Sequence, residues 1–510
     1  MRTSRSLKIF SSVMSPSALR RPIFRVSSGV TCRHISQSAT VAAVAHEIQP
    51  TQTPFARHGP VAPASQRGEE FWRRVSVFKN VAASEFLSYQ WSIANTVQGK
   101  PKLWKFLHAV LPDMVPYGKG FVQSQSKEDL IEDIFEGVDA STMAIRVTPY
   151  VLSRIDWKNP RDDPIFRQFL PLKSVMLPDH PKLTLDSLHE TADSPVPGLV
   201  HRYPDRALFL ATSVCPTYCV FCTRSYAVGA HTDSVTKTFF KPTRRRWDAI
   251  FDYIEATPRI QDVVVSGGDS YYLEPDQIQY IGERLIAIPH IRRFRFASKG
   301  LAVAPVRILD QSDGWAAALA RVAAKAEQAG KSVAWHTHFN HPDEISWITR
   351  EAAQLLREAR VTVRNQTVLL KGVNDNVDTM SLLIRSLAEN NISPYYVYIC
   401  DMIKMNEHMR TSLQSMLDIE AEIRGSIAGF NIPQFVVDLP GGGGKRLGWS
   451  YKSYDRKTGI SKFVAPAVTT ASAIEGSARS KPEVFEYYDP IGSTVGETYT
   501  EYGDDRDGSH

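Results

Sequence analysis

The stretch ALFLATSVCPTYCVFCTRSYAVG, Ala207 to Gly229, decides how the chain is read. Its apolar opening, Ala207 to Ala211, predicts a buried strand, and the strand leads straight into Cys215, Cys219 and Cys222. The chain has five cysteines, so this loop holds most of them. An odd group of thiols in a long, otherwise cysteine-poor chain does not make a disulfide scaffold. Three thiolates spaced C-x3-C-x2-C on a tight loop can meet one inorganic centre. Tetrahedral zinc and an ordinary [4Fe–4S] cluster both take four protein ligands, and no fourth cysteine is near. A cluster held by three leaves one iron open to an exogenous ligand. From spacing alone, a zinc site completed by a histidine and three merely buried thiols remain alternatives.

Outward from this loop a strand and helix alternation sets in. Apolar runs at 207–212, 262–266, 292–297, 333–337, 363–369 and 394–400 predict strands. Amphipathic segments at 244–256, 275–287, 315–329, 343–359 and 376–390 lie between them, with another at 412–426. Strands that each lead into a helix make a parallel α/β array. Several motifs punctuate it. Gly441 to Gly444 with Lys445 form a glycine run in which a backbone without β-carbons can approach a ring or phosphate, and a lysine amine can condense with an aldehyde. The run lacks the spacing and the Ser/Thr of a Walker loop. Arg202, Tyr203 and Arg206 supply two guanidinium forks and a phenol, a set suited to a dianionic phosphate. Asp401 and Asp438 would be costly neighbours unless a cation lay between them.

The runs DSPVPGLVHRYPDR (Asp193 to Arg206), VVSGGDS (Val264 to Ser270), HTHFNHPDE (His336 to Glu344), RNQTVLLKGVND (Arg364 to Asp375), PYYVYICD (Pro394 to Asp401) and FVVDLPGGGGK (Phe435 to Lys445) follow one another around the cysteine loop. In that order they resemble the radical S-adenosylmethionine enzymes and, among them, the lysine 2,3-aminomutase family, over roughly residues 140 to 445. The resemblance implies a partial (β/α)6 TIM-like barrel with its chemistry at the strands' C-terminal ends. It implies a [4Fe–4S] cluster on Cys215, Cys219 and Cys222, and S-adenosylmethionine held by Gly267, Gly268, Asp269, His338 and Gln366, with Phe221 beside the adenine. Pyridoxal 5′-phosphate would sit on Lys445 among Arg202, Tyr203 and Arg206. Arg224 would clamp the substrate carboxylate, and Asp401 with Asp438 would receive a side-chain ammonium. The implied activity moves the α-amino group of L-lysine to the β-carbon, with a one-electron donor as partner. The same shift on another basic or lysine-like amino acid, and a catalytically inactive cofactor-binding homologue, are the alternatives.

The chain departs from the family at Arg224-Ser225-Tyr226, where an arginine triplet is usual, at Ser270-Tyr271-Tyr272, and at SKGLAV (Ser298 to Val303). These changes predict a reshaped rim. No cysteine follows Cys400, so no structural zinc between subunits is expected, which puts the family's tetramer in doubt and leaves the homo-oligomer open. His336 and His341 raise a metal question, but nothing supplies the remaining ligands.

A chain of 510 residues exceeds what one core usually organises, so a main domain with appendages is expected. Its formal charge of +6 misleads, because residues 1–46 hold seven basic residues, Arg2 to Arg33, and no acid. That serine-rich segment reads as a mitochondrial targeting presequence, cleaved somewhere after Arg33, which predicts the mitochondrial matrix. Without it, fifty-three basic residues face fifty-four acidic ones, so the basic balance implies no nucleic acid. No apolar run is long enough to span a bilayer. Residues 47–68 read as a linker, 69–200 as a helical region and irregular wrap, 201–445 as the barrel with its pyridoxal site, and 446–510 as a C-terminal extension with an acidic tail.

Overall fold

A computed structural model describes residues 68–118, 123–465 and 482–493. The basic segment 1–46, the linker apart from Gly68, and the acidic tail lie outside the described residues.

A nine-stranded sheet carries the molecule. Seven strands run parallel in sequence order: β2 (Arg206–Thr212), β3 (Asp262–Gly267), β4 (Arg293–Ala297), β5 (Ser332–Thr337), β6 (Thr362–Leu369), β7 (Ser393–Ile399) and β8 (Gln434–Leu439). An antiparallel strand closes each edge, β1 (Leu199–Tyr203) beside β2 and β9 (Gly444–Leu447) beside β8. The six apolar runs correspond to β2 to β7, and the array is a partial TIM-like barrel. The seventh parallel strand, β8, lies inside the glycine motif, where the short run Phe435–Val437 gave too little pattern to separate it from the turn that follows. The two edges approach each other: the Lys445 amide donates to Tyr203 Oη across 3.1 Å, and a β-carbon on Gly444 would lie 2.6 Å from the same oxygen.

In the N-terminal region, helices α1 (Gly99–Val110) and α2 (Lys127–Ala140) pack with the aromatic residues that precede them. Trp72 stacks on Phe86 at 4.3 Å, and Trp347 Nε1 of the barrel donates to Glu69 O across 2.9 Å. This wrap also reaches the cysteine loop. Arg146 Nε donates to Pro216 O (3.3 Å), while the Tyr218 and Val220 amides donate to Arg146 O and Gln168 O, both 2.9 Å.

The outer face of the sheet is covered by α3 (Arg244–Glu255), α4 (Pro275–Ala287), α5 (Trp315–Gln328), α6 (Trp347–Glu358), α7 (Val377–Glu389) and α8 (Leu413–Ile423). Helix α3 buries Trp247, Ile250, Phe251 and Ile254, the spacing of one apolar stripe. Helix α4 starts where Pro275 takes the first turn and Glu274 forms a capping box with Gln277. Ser346, Asn376 and Ser412 cap α6, α7 and α8 with side-chain oxygens. Among the described residues, no helix is long and apolar enough to cross a membrane.

Where helical periodicity fades after Lys445, the chain forms a second, antiparallel sheet of β10 (Ser453–Asp455), β11 (Ile460–Ala465) and β12 (Glu483–Tyr488). It is docked on the barrel: the buried Tyr487 donates its hydroxyl to Cys400 O (2.9 Å), and Asp489 Oδ1 accepts from the Leu413 amide (2.8 Å).

One glycine is dictated by close approach. Gly267 ends β3 with φ +116, and a β-carbon there would lie 2.1 Å from Thr212 O. At Gly330, φ is +68 and nothing lies within 4 Å of the β-carbon position. Gly267→Ala is therefore expected to destabilise the fold by about 3 kcal/mol or more, against about 1 kcal/mol for Gly330→Ala, in urea unfolding.

Candidate active site

The inner face of the sheet encloses a cavity of about 510 Å³. Every site residue expected from the sequence lines it: Cys215, Cys219, Cys222, Arg224, Gly267, Gly268, Asp269, His338, Gln366, Asp401, Asp438, Lys445, Arg202, Tyr203 and Arg206. Most sit at the C-terminal ends of parallel strands. Arg202, Tyr203 and Arg206 do not. They flank the β1–β2 turn at the opposite end of β2, so the cavity runs along the barrel's inner face rather than across its mouth alone.

The cysteine loop is held from both sides. Val214 O accepts from the Asp269 amide (3.0 Å) and Thr212 O from the Gly268 amide (2.6 Å), tying the loop after β2 to the turn after β3. Burial pushes all three thiols up, Cys219 to about 12 even though Lys299 pulls it down. Among the described residues, no group of His, Cys, Asp or Glu is arranged to hold a single metal ion. A cubane cluster makes a different demand, since each of its thiolates binds a separate iron. Three thiols facing one cavity from one loop fit that demand.

Asp269 Oδ1 accepts from the Tyr271 amide and Oδ2 from the Lys299 amide, each 2.8 Å, while burial raises its carboxyl to about 6. His338 Nε2 lies 3.1 Å from Asn340 Oδ1. That oxygen already accepts from the Val368 amide (2.9 Å), so His338 Nε2 must be the donor, which leaves Nδ1 as an acceptor. Burial, followed by Lys299, keeps this imidazole neutral. Phe221 meets it edge-on at 5.9 Å between ring centroids.

At the far wall Lys445 Nζ lies 2.5 Å from Asp438 Oδ2 and 5.4 Å from the centre of the Tyr398 ring. Burial alone would lower the lysine's proton affinity, but Asp438, Tyr398 and Tyr203 outweigh it, and the amine is held charged. Asp401 Oδ2 accepts from Thr223 Oγ1 (2.6 Å). Oδ1 of Asp401 and Oδ1 of Asp438 are buried without a hydrogen-bond partner. Two carboxylates that face one cavity, each with an idle oxygen, form an acceptor pair for a cation. Nearby, the Arg206 guanidinium lies 4.0 Å over the Tyr203 ring, and Arg202 Nε donates to Asp193 Oδ2 (2.6 Å).

Sequence reasoning missed several residues of this cavity. Lys299 is buried and donates to His338 O and Glu344 Oε1, each 2.8 Å; its only signal was the unusual SKGLAV at the end of β4. Glu190 receives one edge of the Arg224 guanidinium, Nε and one Nη, and had no signal, because it lies in an irregular segment ahead of the barrel. His336, which the sequence raised only as a metal question, also lines the cavity; buried with an unpartnered Nε2, it is kept neutral by burial, Arg295 and Arg364, its pKa lowered to about 3.

No family model matches the chain. Among curated relatives it is 36% identical over 376 residues to the L-lysine 2,3-aminomutase of Clostridium subterminale, covering 73% of this chain and 80% of that one. The chain belongs to the lysine 2,3-aminomutase family. It is 36% identical to the L-lysine 2,3-aminomutase of Bacillus subtilis, over 73% of this chain and 71% of that protein. The glutamate 2,3-aminomutase of Clostridioides difficile is 28% identical over 72% of this chain and 77% of that one. Family membership makes the chain an isomerase and does not separate the two substrates. Among solved structures, a radical SAM methyltransferase from Sphaerobacter thermophilus gives a TM-score of 0.29 at 16% identity, covering 47% of this chain and 68% of that one, too low to carry an argument.

Burial and then Asp438 push the Asp401 carboxyl up to about 7, against the Thr223 hydrogen bond. The folded protein thus keeps this proton to a higher pH than the unfolded chain does. The associated stability is complete below the ordinary carboxyl range and is lost as pH rises from 3.8 towards about 7. In cofactor-free protein Asp401→Asn should flatten that decline and be more stable than wild type above pH 7, as read from urea midpoints at pH 5 and 7.5.

Proposed function

We propose that the protein is a radical S-adenosylmethionine, pyridoxal-phosphate-dependent L-lysine 2,3-aminomutase that produces β-lysine. The observation that carries the choice of lysine is the acceptor pair Asp401 and Asp438, two cavity-lining carboxylates that each keep a buried Oδ1 without a hydrogen-bond partner, Asp438 already binding an ammonium, that of Lys445. A substrate side-chain ammonium satisfies the same acceptors, whereas a second carboxylate would meet two negative groups.

The donor set fits the family's cofactors. Cys215, Cys219 and Cys222 would hold the cluster, and Gly267, Gly268, Asp269, His338 and Gln366, which line the same cavity, would hold S-adenosylmethionine. Lys445 supplies the amine for pyridoxal phosphate, with Arg202, Tyr203 and Arg206 as its polar partners. When bound, these groups supply a reductively generated radical and a conjugated ring that delocalises an unpaired electron. The protein's own work is narrower. Asp438 Oδ2 holds the Lys445 ammonium in place. When the amine has lost its proton to solvent for condensation, that contact ends and both carboxylates can receive the substrate ammonium. Arg224 binds the carboxylate end. A one-electron donor completes the system, and the acid-free basic segment 1–46 supports the mitochondrial matrix as its place.

Product analysis with anaerobically reconstituted protein tests this reading. β-Lysine from L-lysine is expected, with activity lost in Lys445→Ala and Cys219→Ala, and KM for lysine raised roughly tenfold or more in Asp401→Asn. Dominant formation of β-glutamate from glutamate would overturn it.

A further inference from the structure

Arg224 does not wait for its substrate unpaired. Its Nε donates to Glu190 Oε2 (2.9 Å) and one Nη to Glu190 Oε1 (2.7 Å), a bidentate pair. Tyr226, two residues on, donates its hydroxyl to the same Oε2 across 2.9 Å. The Glu190 side chain is 5% exposed, the Arg224 side chain 23%. Glu190 is itself held, because its amide donates to Asp186 Oδ1 (2.9 Å), while Asp186 Oδ2 accepts from the Thr191 amide (3.0 Å) and hydroxyl (2.6 Å). On the other side of Arg224, Thr223 Oγ1 is bonded to Asp401. Consecutive residues of one loop therefore reach the carboxylate end and the ammonium end of the cavity.

From this we infer that Glu190 is the positioning residue of the carboxylate clamp: it grips one edge of the Arg224 guanidinium and turns the remaining N–H groups towards the substrate. A free arginine side chain samples many rotamers, and ordering it on binding costs affinity. A planar fork locked at one edge presents its other edge in a single orientation. Pairing with Glu190 also cancels the clamp's net charge, so carboxylates are selected by geometry and not by charge alone. Tyr226, in place of the family's arginine, adds a third hydrogen bond to Glu190 and no further positive charge. The inference rests on the lysine reading of the site.

The test compares L-lysine with L-lysinamide, which lacks the carboxylate, in reconstituted wild type, Glu190→Gln and Tyr226→Phe, using calorimetric dissociation constants beside KM and kcat. In Glu190→Gln one arm of the fork faces an amide donor instead of an acceptor. Its Kd and KM for lysine should rise about tenfold, the equivalent of one charge-assisted hydrogen bond, with kcat changed far less. Tyr226→Phe, which keeps the buried pair, should give a smaller rise of about threefold. Lysinamide binding should be unchanged in both. Unchanged lysine affinity in both variants, or an equal loss for lysine and lysinamide, overturns the role of Glu190. If Glu190→Gln does not fold, Tyr226→Phe decides the matter alone. Absence of β-lysine from wild type would count against the lysine reading instead, while the difference between lysine and lysinamide binding would still report on the clamp.

Discussion

The contact on which the arrangement turns is Lys445 on Asp438, 2.5 Å apart inside the barrel. The two residues face each other on antiparallel β8 and β9, so the hairpin geometry alone brings them together. The buried Asp438 carboxylate needs a cation, and the partly exposed Lys445 amine supplies it in a cavity that also contains Asp401. The same lysine's backbone amide meets Tyr203 on the opposite edge strand, so the lysine proposed to carry the chemistry also helps to hold the partial barrel's edges together.

The surrounding layers keep that cavity in shape. The N-terminal wrap is more than a cover, because Arg146 and Gln168 hydrogen-bond the cysteine loop directly. The C-terminal sheet does comparable work at the other wall, where Tyr487 is bonded to Cys400 O, one residue before Asp401. Neither appendage lines the site with a predicted functional residue, yet each fixes the backbone from which one is presented.

The legible parts of the site were those written as local patterns. Cysteine spacing, the glycine run before Lys445 and the glycines after β3 are short-range requirements of backbone and ligand geometry, and they stand in the chain as motifs. Glu190 and Lys299 are different. Each matters through a partner far along the chain, Arg224 for one and Glu344 for the other, and no local pattern marks such a pair. The strand β8 was hidden for a related reason, since its apolar run is short and merges with the glycine turn.

By itself the sequence determined the parallel α/β array, the three-thiol loop and the candidate lysine, because hydrophobic period, spacing and residue chemistry are properties of neighbouring residues. Only the tertiary structure decided that the β1–β2 turn shares a cavity with the strand ends, that Arg224 is already paired, and that Asp401 and Asp438 keep idle oxygens. Those are facts about distances between residues remote in sequence, and such distances are set by how the sheet curls and by what its two appendages hold in place.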